Sequence, residues 1–124
     1  MAMRFYRQQH IRTQADFSAV RRKGRRIEGS AFRFCTLRTD SDEGFNGMRL
    51  GIVASRRVGN AVARNLLKRR IREIFRLNQE KLVRGVDVVV VLRAAASRLE
   101  YGKLEQHFLR AAERARILRV SSDE

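Results

Sequence analysis

The segment from Ser55 to Arg76, SRRVGNAVARNLLKRRIREIFR, collects residue types that bind a polyanion: two adjacent arginines, a Gly-Asn pair, then cations at helical spacing. At 100° per residue, Arg64, Lys68, Arg72, Asn65, Arg76 and Arg69 fall within one arc of roughly 140°. Ala63, Leu67, Ile71, Ile74 and Phe75 gather on a neighbouring apolar arc, so one side of the helix is expected to pack on a core while the other presents cations. A merely solvated face mixes signs in i,i+4 pairs. This arc holds no acid, and Glu73 is expected on the far side. Asn60 is placed to cap the helix, its side-chain oxygen taking one of the unpaired N–H groups of the first turn. Those N–H groups, with Arg56 and Arg57 just upstream, would suit a phosphate.

Composition agrees with such a partner. The chain has 124 residues and a formal net charge of +15, with Lys only at Lys23, Lys68, Lys81 and Lys103, so that Arg supplies nearly all the cations. The planar guanidinium grips phosphate in bidentate fashion and stacks on bases, which points to nucleic acid rather than to solubility alone. No self-sufficient active site is legible. His10 and His107 are far apart, the acids cluster in Asp40 to Glu43, and no HExxH, P-loop or GxSxG run occurs. No catalytic residue and no protein-held metal are therefore expected, nor a small-molecule cofactor. The single cysteine, Cys35, has no partner for an intramolecular disulfide or a zinc knuckle, which fits a reducing, cytoplasmic setting. The longest apolar run, Val88 to Leu92, is too short to span a membrane.

The elements that must hold the basic helix follow from periodicity. The length suits one domain, residues 1–124, with residues 1–11 as a mobile basic arm and 121–124 as a frayed tail. Thr13 followed by Asp16 resembles a capping box, so a short helix is expected from Gln14 to Arg22, ended by Gly24. Phe32, Phe34 and Thr36 alternate with Arg33, Cys35 and Leu37, and Met48 to Ser55 alternates likewise. These two strands are expected to pair antiparallel as a hairpin, with an extra short strand near Arg25 to Ile27. Val86 to Leu92 reads as a central strand covered on both faces, and Leu99 to Leu118 as a last amphipathic helix. The fold class is α+β, a small α/β sandwich in the order α-β-β-(β)-α-β-α, with a mixed sheet of about four strands covered on one face by helices. Phe17, Phe32 and Phe34 precede the basic helix, and aromatics beside a cationic groove can stack single-stranded bases. Phe17 is the one expected to be most exposed.

Taken together, ADFSAVRRKGRR, GIVASRRVGNAVARNLLKRRIREIFR and DVVVVLR resemble the protein subunit of bacterial ribonuclease P, over nearly the whole chain from about Thr13 to Leu118. The specific centre is Gly59-Asn60-Ala61-Val62 with Arg64-Asn65 and Lys68-Arg69-Arg72-Glu73. The resemblance implies a left-handed βαβ crossover containing the basic helix, against the usual preference. It also implies a subunit that assists a catalytic RNA, which with Mg²⁺ bound mainly by RNA and substrate removes the 5′ leader of precursor tRNA. Arg56, Arg57, Asn60, Arg64, Asn65, Lys68, Arg69, Arg72 and Arg76 would then face the RNA subunit. Phe17, Arg21, Phe34 and Cys35 would line a leader cleft between the first helix and the sheet. Two positions depart from the pattern: Leu66 stands where the Arg-Asn-Arg signature ends, and Arg21 where a second aromatic is usual. A noncatalytic RNA-binding protein of ribosomal type is the other reading that composition allows.

Overall fold

The computed structural model describes residues 9–38 and 48–119. Three helices, α1 (Gln14–Lys23), α2 (Ala61–Asn78) and α3 (Tyr101–Arg114), surround four strands, β1 (Arg25–Glu28), β2 (Phe32–Arg38), β3 (Met48–Val53) and β4 (Val86–Leu92). The expected mobile arm and tail lie largely outside the described residues, but Gln9 to Ile11 do not. Ile11 donates its N–H to the Leu50 carbonyl at 3.0 Å along the free edge of β3, and both Gln9 and Ile11 are buried.

The sheet order is β1-β2-β4-β3. This corrects the expected hairpin: β4 inserts between β2 and β3, pairing antiparallel with β2 and parallel with β3. Alternation fixes which face a strand buries but not which neighbour it takes, and the all-valine centre of β4 needs a partner on each edge and cover on each face. β3, α2 and β4 therefore form a parallel β-α-β unit, while β1 extends the other edge antiparallel to β2.

The two faces of the sheet are covered unequally, which corrects the expectation of helices on one face only. Phe32, Phe34, Met48, Leu50, Val86, Val88, Val90 and Leu92 meet Leu67, Ile71, Ile74 and Phe75 of α2 and Leu104, Phe108, Ala111 and Ala112 of α3 in the main core. The opposite face carries a smaller cluster of Ile11, Val20, Cys35 and Val89 under α1. α1 has 10 residues, against 18 in α2 and 14 in α3 on the other face. Thr13 caps it by accepting the Asp16 N–H at 3.1 Å, and Gly24 ends it where a Cβ would overlap the Thr36 carbonyl. α3 is shorter at both ends than its apolar spacing suggests.

Polar ties set the helices in place. Buried Asn78 donates to the Ile74 carbonyl at 2.7 Å and to Glu105 of α3 at 2.9 Å, joining the end of α2 to α3. On the α1 side, Arg49 of β3 grips Asp87, its register partner on β4, in bidentate fashion at 3.0 and 2.7 Å, and reaches Asp16 of α1 at 3.2 Å.

Candidate nucleic-acid interface

One cationic surface is built on α2 and the turn before it. Asn60 accepts the Ala63 N–H at 2.9 Å, the expected cap, and Ser55 accepts the Arg57 N–H at 3.3 Å. Between them Gly59, at φ +151°, holds a conformation that side-chain-bearing residues rarely adopt. Buried Val58 pins this turn to the core and leaves Arg56 and Arg57 exposed.

Along the helix, Asn65, Arg69 and Arg72 are exposed, whereas Arg64 and Lys68 are half-buried. The reason is Phe75. By angle it falls beside Arg64 and Lys68, but it is wholly buried, and seating it turns the helix so that those two cations lie on its flank. Arg76 is not free for a ligand: its Nε donates to Glu73 Oε1 at 3.1 Å and its Nη2 to the other carboxylate oxygen. That hydrogen bond holds the Glu73 carboxyl below its usual range and raises Arg76 further. Glu73 therefore borders the cations rather than standing apart from them. Gln9 donates to Gln79 at 2.8 Å, which brings the chain before α1 against the end of α2. There burial, with Arg12 and Arg72 nearby, pushes the His10 imidazole below its ordinary pKa.

The second surface is the α1 side of the sheet, where strand register produces three transverse rows. Arg49, Asp87 and Leu37 form the first; Gly51, Val89, Cys35 and Arg26 the second; Val53, Val91, Arg33 and Glu28 the third. The first row is closed by Asp16 of α1 on Arg49. Phe17 lies on the second, so close to Gly51 that a Cβ there would stand 2.5 Å from its ring. Among the described residues the third has no comparable cover: Val53 and Val91 are half-buried and, like Phe17, pack against the small cluster under α1. At the β1 end, Ser18, Arg21, Arg22, Arg26, Arg33 and Cys35 line a cavity of about 250 Å³. Of its arginines, Arg33 pairs with Glu28 at 3.0 Å. Burial pushes the Cys35 thiol up, against the pull of Arg26, Arg33 and Arg21.

Among the residues expected in a leader cleft, Phe17, Arg21 and Cys35 are brought together on this face, with Phe17 half-buried rather than freely exposed. Phe34 is a correction. Strand alternation turns it to the other face, where it is wholly buried edge-on against Phe108 of α3, ring centroids 5.3 Å apart. Sequence reasoning passed over Val53, Val91, Arg26 and Arg33. The signal was available, since the same alternation that groups Arg33 with Cys35 also groups Gly51 with Val53. Among the described residues, no three His, Cys, Asp or Glu side chains gather as a metal site, and no helix is long and apolar enough to cross a membrane.

A mixed four-stranded sheet, a parallel β-α-β unit with an arginine-rich helix, and an arginine-lined cavity beside α1 define a basic protein of α+β class. The family model described as Ribonuclease P matches residues 5–116. The ribonuclease P protein component of Streptococcus pneumoniae is 32% identical over 109 residues, 88% of this chain and 85% of the relative. That of Natranaerobius thermophilus is 34% identical over 77 residues, 62% of this chain and 67% of the relative. Among solved structures, the Staphylococcus aureus RNase P protein superposes with a TM-score of 0.80 at 27% identity, covering 90% of this chain and 98% of that one. The Thermotoga maritima RNase P protein gives 0.74 at 31% identity, covering 85% and 96%. The chain belongs to the ribonuclease P protein family.

Proposed function

We propose that this chain is the protein subunit of a ribonucleoprotein that removes the 5′ leader of precursor tRNA in the cytoplasm, with the outer face of α2 on the catalytic RNA and the α1 side of the sheet on the single-stranded leader. Family membership supports the particle. The observation that carries the division of labour is that the α1 side of the sheet holds both kinds of contact: half-buried Phe17, Val53 and Val91 offer apolar surface to bases, and the arginines around the cavity at the β1 end offer contact to phosphates. A structured RNA, presenting a rigid phosphate lattice, suits the flatter helical surface instead.

The chain's part in the reaction is binding and orientation. The described residues offer no cluster to hold a metal, so Mg²⁺ would be held mainly by the catalytic RNA and the substrate, where it would supply the activation of water and the stabilisation of the leaving oxygen. Neutralising the phosphate repulsion between the two RNAs would raise substrate affinity. The test adds the purified chain to its cognate catalytic RNA and precursor tRNA at low Mg²⁺ and follows release of the mature 5′ end. Stimulation is expected; none would favour a ribosomal type of RNA binder, and cleavage by the chain alone would make it a nuclease in its own right. Phe17→Ala should weaken precursor tRNA binding by about 1–3 kcal/mol while leaving mature tRNA unchanged. An equal loss for both would remove the leader from this face.

A further inference from the structure

Seating Leu67, Ile71, Ile74, Phe75 and Asn78 in the interior leaves α2 facing outward along a line near Val62, Arg69 and Glu73. That line is not purely cationic. Val62 is 77% exposed, Leu66 39% and Leu77 45%, and these are the exposed large hydrophobic residues among those described. Single apolar side chains scattered over a surface are ordinary. Here all three share one helix, within an arc of about 60°. Val62 and Leu66 are one turn apart and so form a single contact surface.

The stripe is bordered by Asn65 and Arg69 on one side and Arg70 on the other, with Arg56 and Arg57 beyond its N-terminal end. The acid within it, Glu73, is taken up by Arg76. A second copy of the chain docking here would bring two cationic helices together in molecules of net charge +15. An RNA meets the same borders with phosphates. The faces of bases freed from a helical stack are the apolar surface that a folded RNA exposes at loops and bulges.

We propose that Val62 and Leu66 form an apolar seat for an unstacked nucleobase of the catalytic RNA, with phosphates on either side held by Arg69 and Arg70. The seat rests on the assignment of the α2 face to that RNA, and it gives Leu66 a role in place of the arginine that ends the family signature. Because the contact is with a base, it adds affinity without releasing counterions, whereas each arginine–phosphate contact steepens the salt dependence.

The double variant V62S/L66S and the conservative variant V62I/L66M test this, both positions being exposed. Binding of each full-length chain to the cognate catalytic RNA is titrated across a salt series, with urea midpoints measured alongside. V62S/L66S should bind about tenfold more weakly with an unchanged slope of log affinity against log salt, as expected for lost apolar contact, and V62I/L66M should bind like wild type. Unchanged affinity in V62S/L66S, or a loss that comes with a shallower slope, overturns the seat. Sedimentation of the free chain covers the other occupant: a dimer that V62S/L66S abolishes would assign the stripe to a second copy. Wild-type chain that fails to bind the RNA would overturn the seat together with the reading it rests on, a result distinct from a variant that binds as well as wild type.

Discussion

The two cationic surfaces use arginine in different ways. On α2 the exposed Arg69 and Arg72 stand on a helix whose inner side is wholly packed, and neither has an acid partner among the ion pairs of the described residues. On the α1 side, one arginine is structural and others line an opening. Arg49 is clamped by Asp87 and Asp16, while Arg21, Arg22 and Arg26 stand around the cavity at the other end of the same face. An arginine that has found a carboxylate serves the fold, and one that has not is available to a ligand. Charge at α2 can therefore be removed without loosening the protein, but the α1 side depends on an ion pair that positions its helix.

The largest effect should come from breaking that dependence. Asp87 is 4% exposed, so Arg49→Ala strands a buried carboxylate and should cost about 3 kcal/mol, read as a fall in the urea midpoint at constant m-value. Hydrogen bonding to Asp87 raises the Arg49 pKa, so this guanidinium stays charged throughout the working range. Replacing both partners, Arg49→Met with Asp87→Leu, should recover much of the loss, because an apolar pair leaves no unpaired charge. If Arg49→Ala costs nothing, the α1 side is not held by this pair and the contrast between the surfaces fails.

A smaller effect separates the surfaces by ligand. Arg69→Ala and Arg72→Ala should leave stability unchanged within about 0.5 kcal/mol. Each should lower the slope of log affinity against log salt for the catalytic RNA by about 0.7–0.9. Arg22→Ala and Arg26→Ala should do the same for precursor tRNA in the assembled particle, with little change in affinity for the catalytic RNA. If both pairs of variants act on the same ligand, the two surfaces are one continuous site.

Much of this arrangement was readable from residues whose neighbours are local. The cap at Asn60, the limits of β4, and the apolar side of α2 follow from spacing within a few residues, and the structure has them where spacing predicts. What escaped depends on distant partners. Alternation could not say that β4 separates β2 from β3, since a strand's period carries no record of who pairs with it. Phe34 is expected beside Phe17 because the family resemblance carries both to a leader cleft and both are aromatics that precede the basic helix. Its own alternation with Cys35 already placed one of the two on the far face, and Cys35 rather than Phe34 is on the side of α1. The cation arc of α2 was off by one flank for a similar reason: charge spacing located the cations, but the burial of Phe75 decides which of them look outward.

The finest distinction lies at His10, on the β3 edge of the sheet near Arg12 and Arg72. Burial first, then Arg12 and Arg72, lower its pKa from 6.5. A histidine depressed in this way binds a proton less readily folded than unfolded. Its contribution to stability is therefore complete above the ordinary histidine range and is lost as pH falls through about 6.5 towards the folded value. His10→Gln should flatten stability over that interval. A phosphate held at Arg72 would act in the opposite direction, cancelling part of the repulsion and making the imidazolium easier to form. Binding of the catalytic RNA should then take up a fraction of a proton, so that affinity rises slightly from pH 7.5 to about 6 in wild type but not in His10→Gln. Calorimetry in buffers of different ionisation enthalpy reads that proton directly. If none is taken up, the RNA on α2 stops short of Arg72, and the contact is centred on Arg69 and the turn at Arg56 and Arg57.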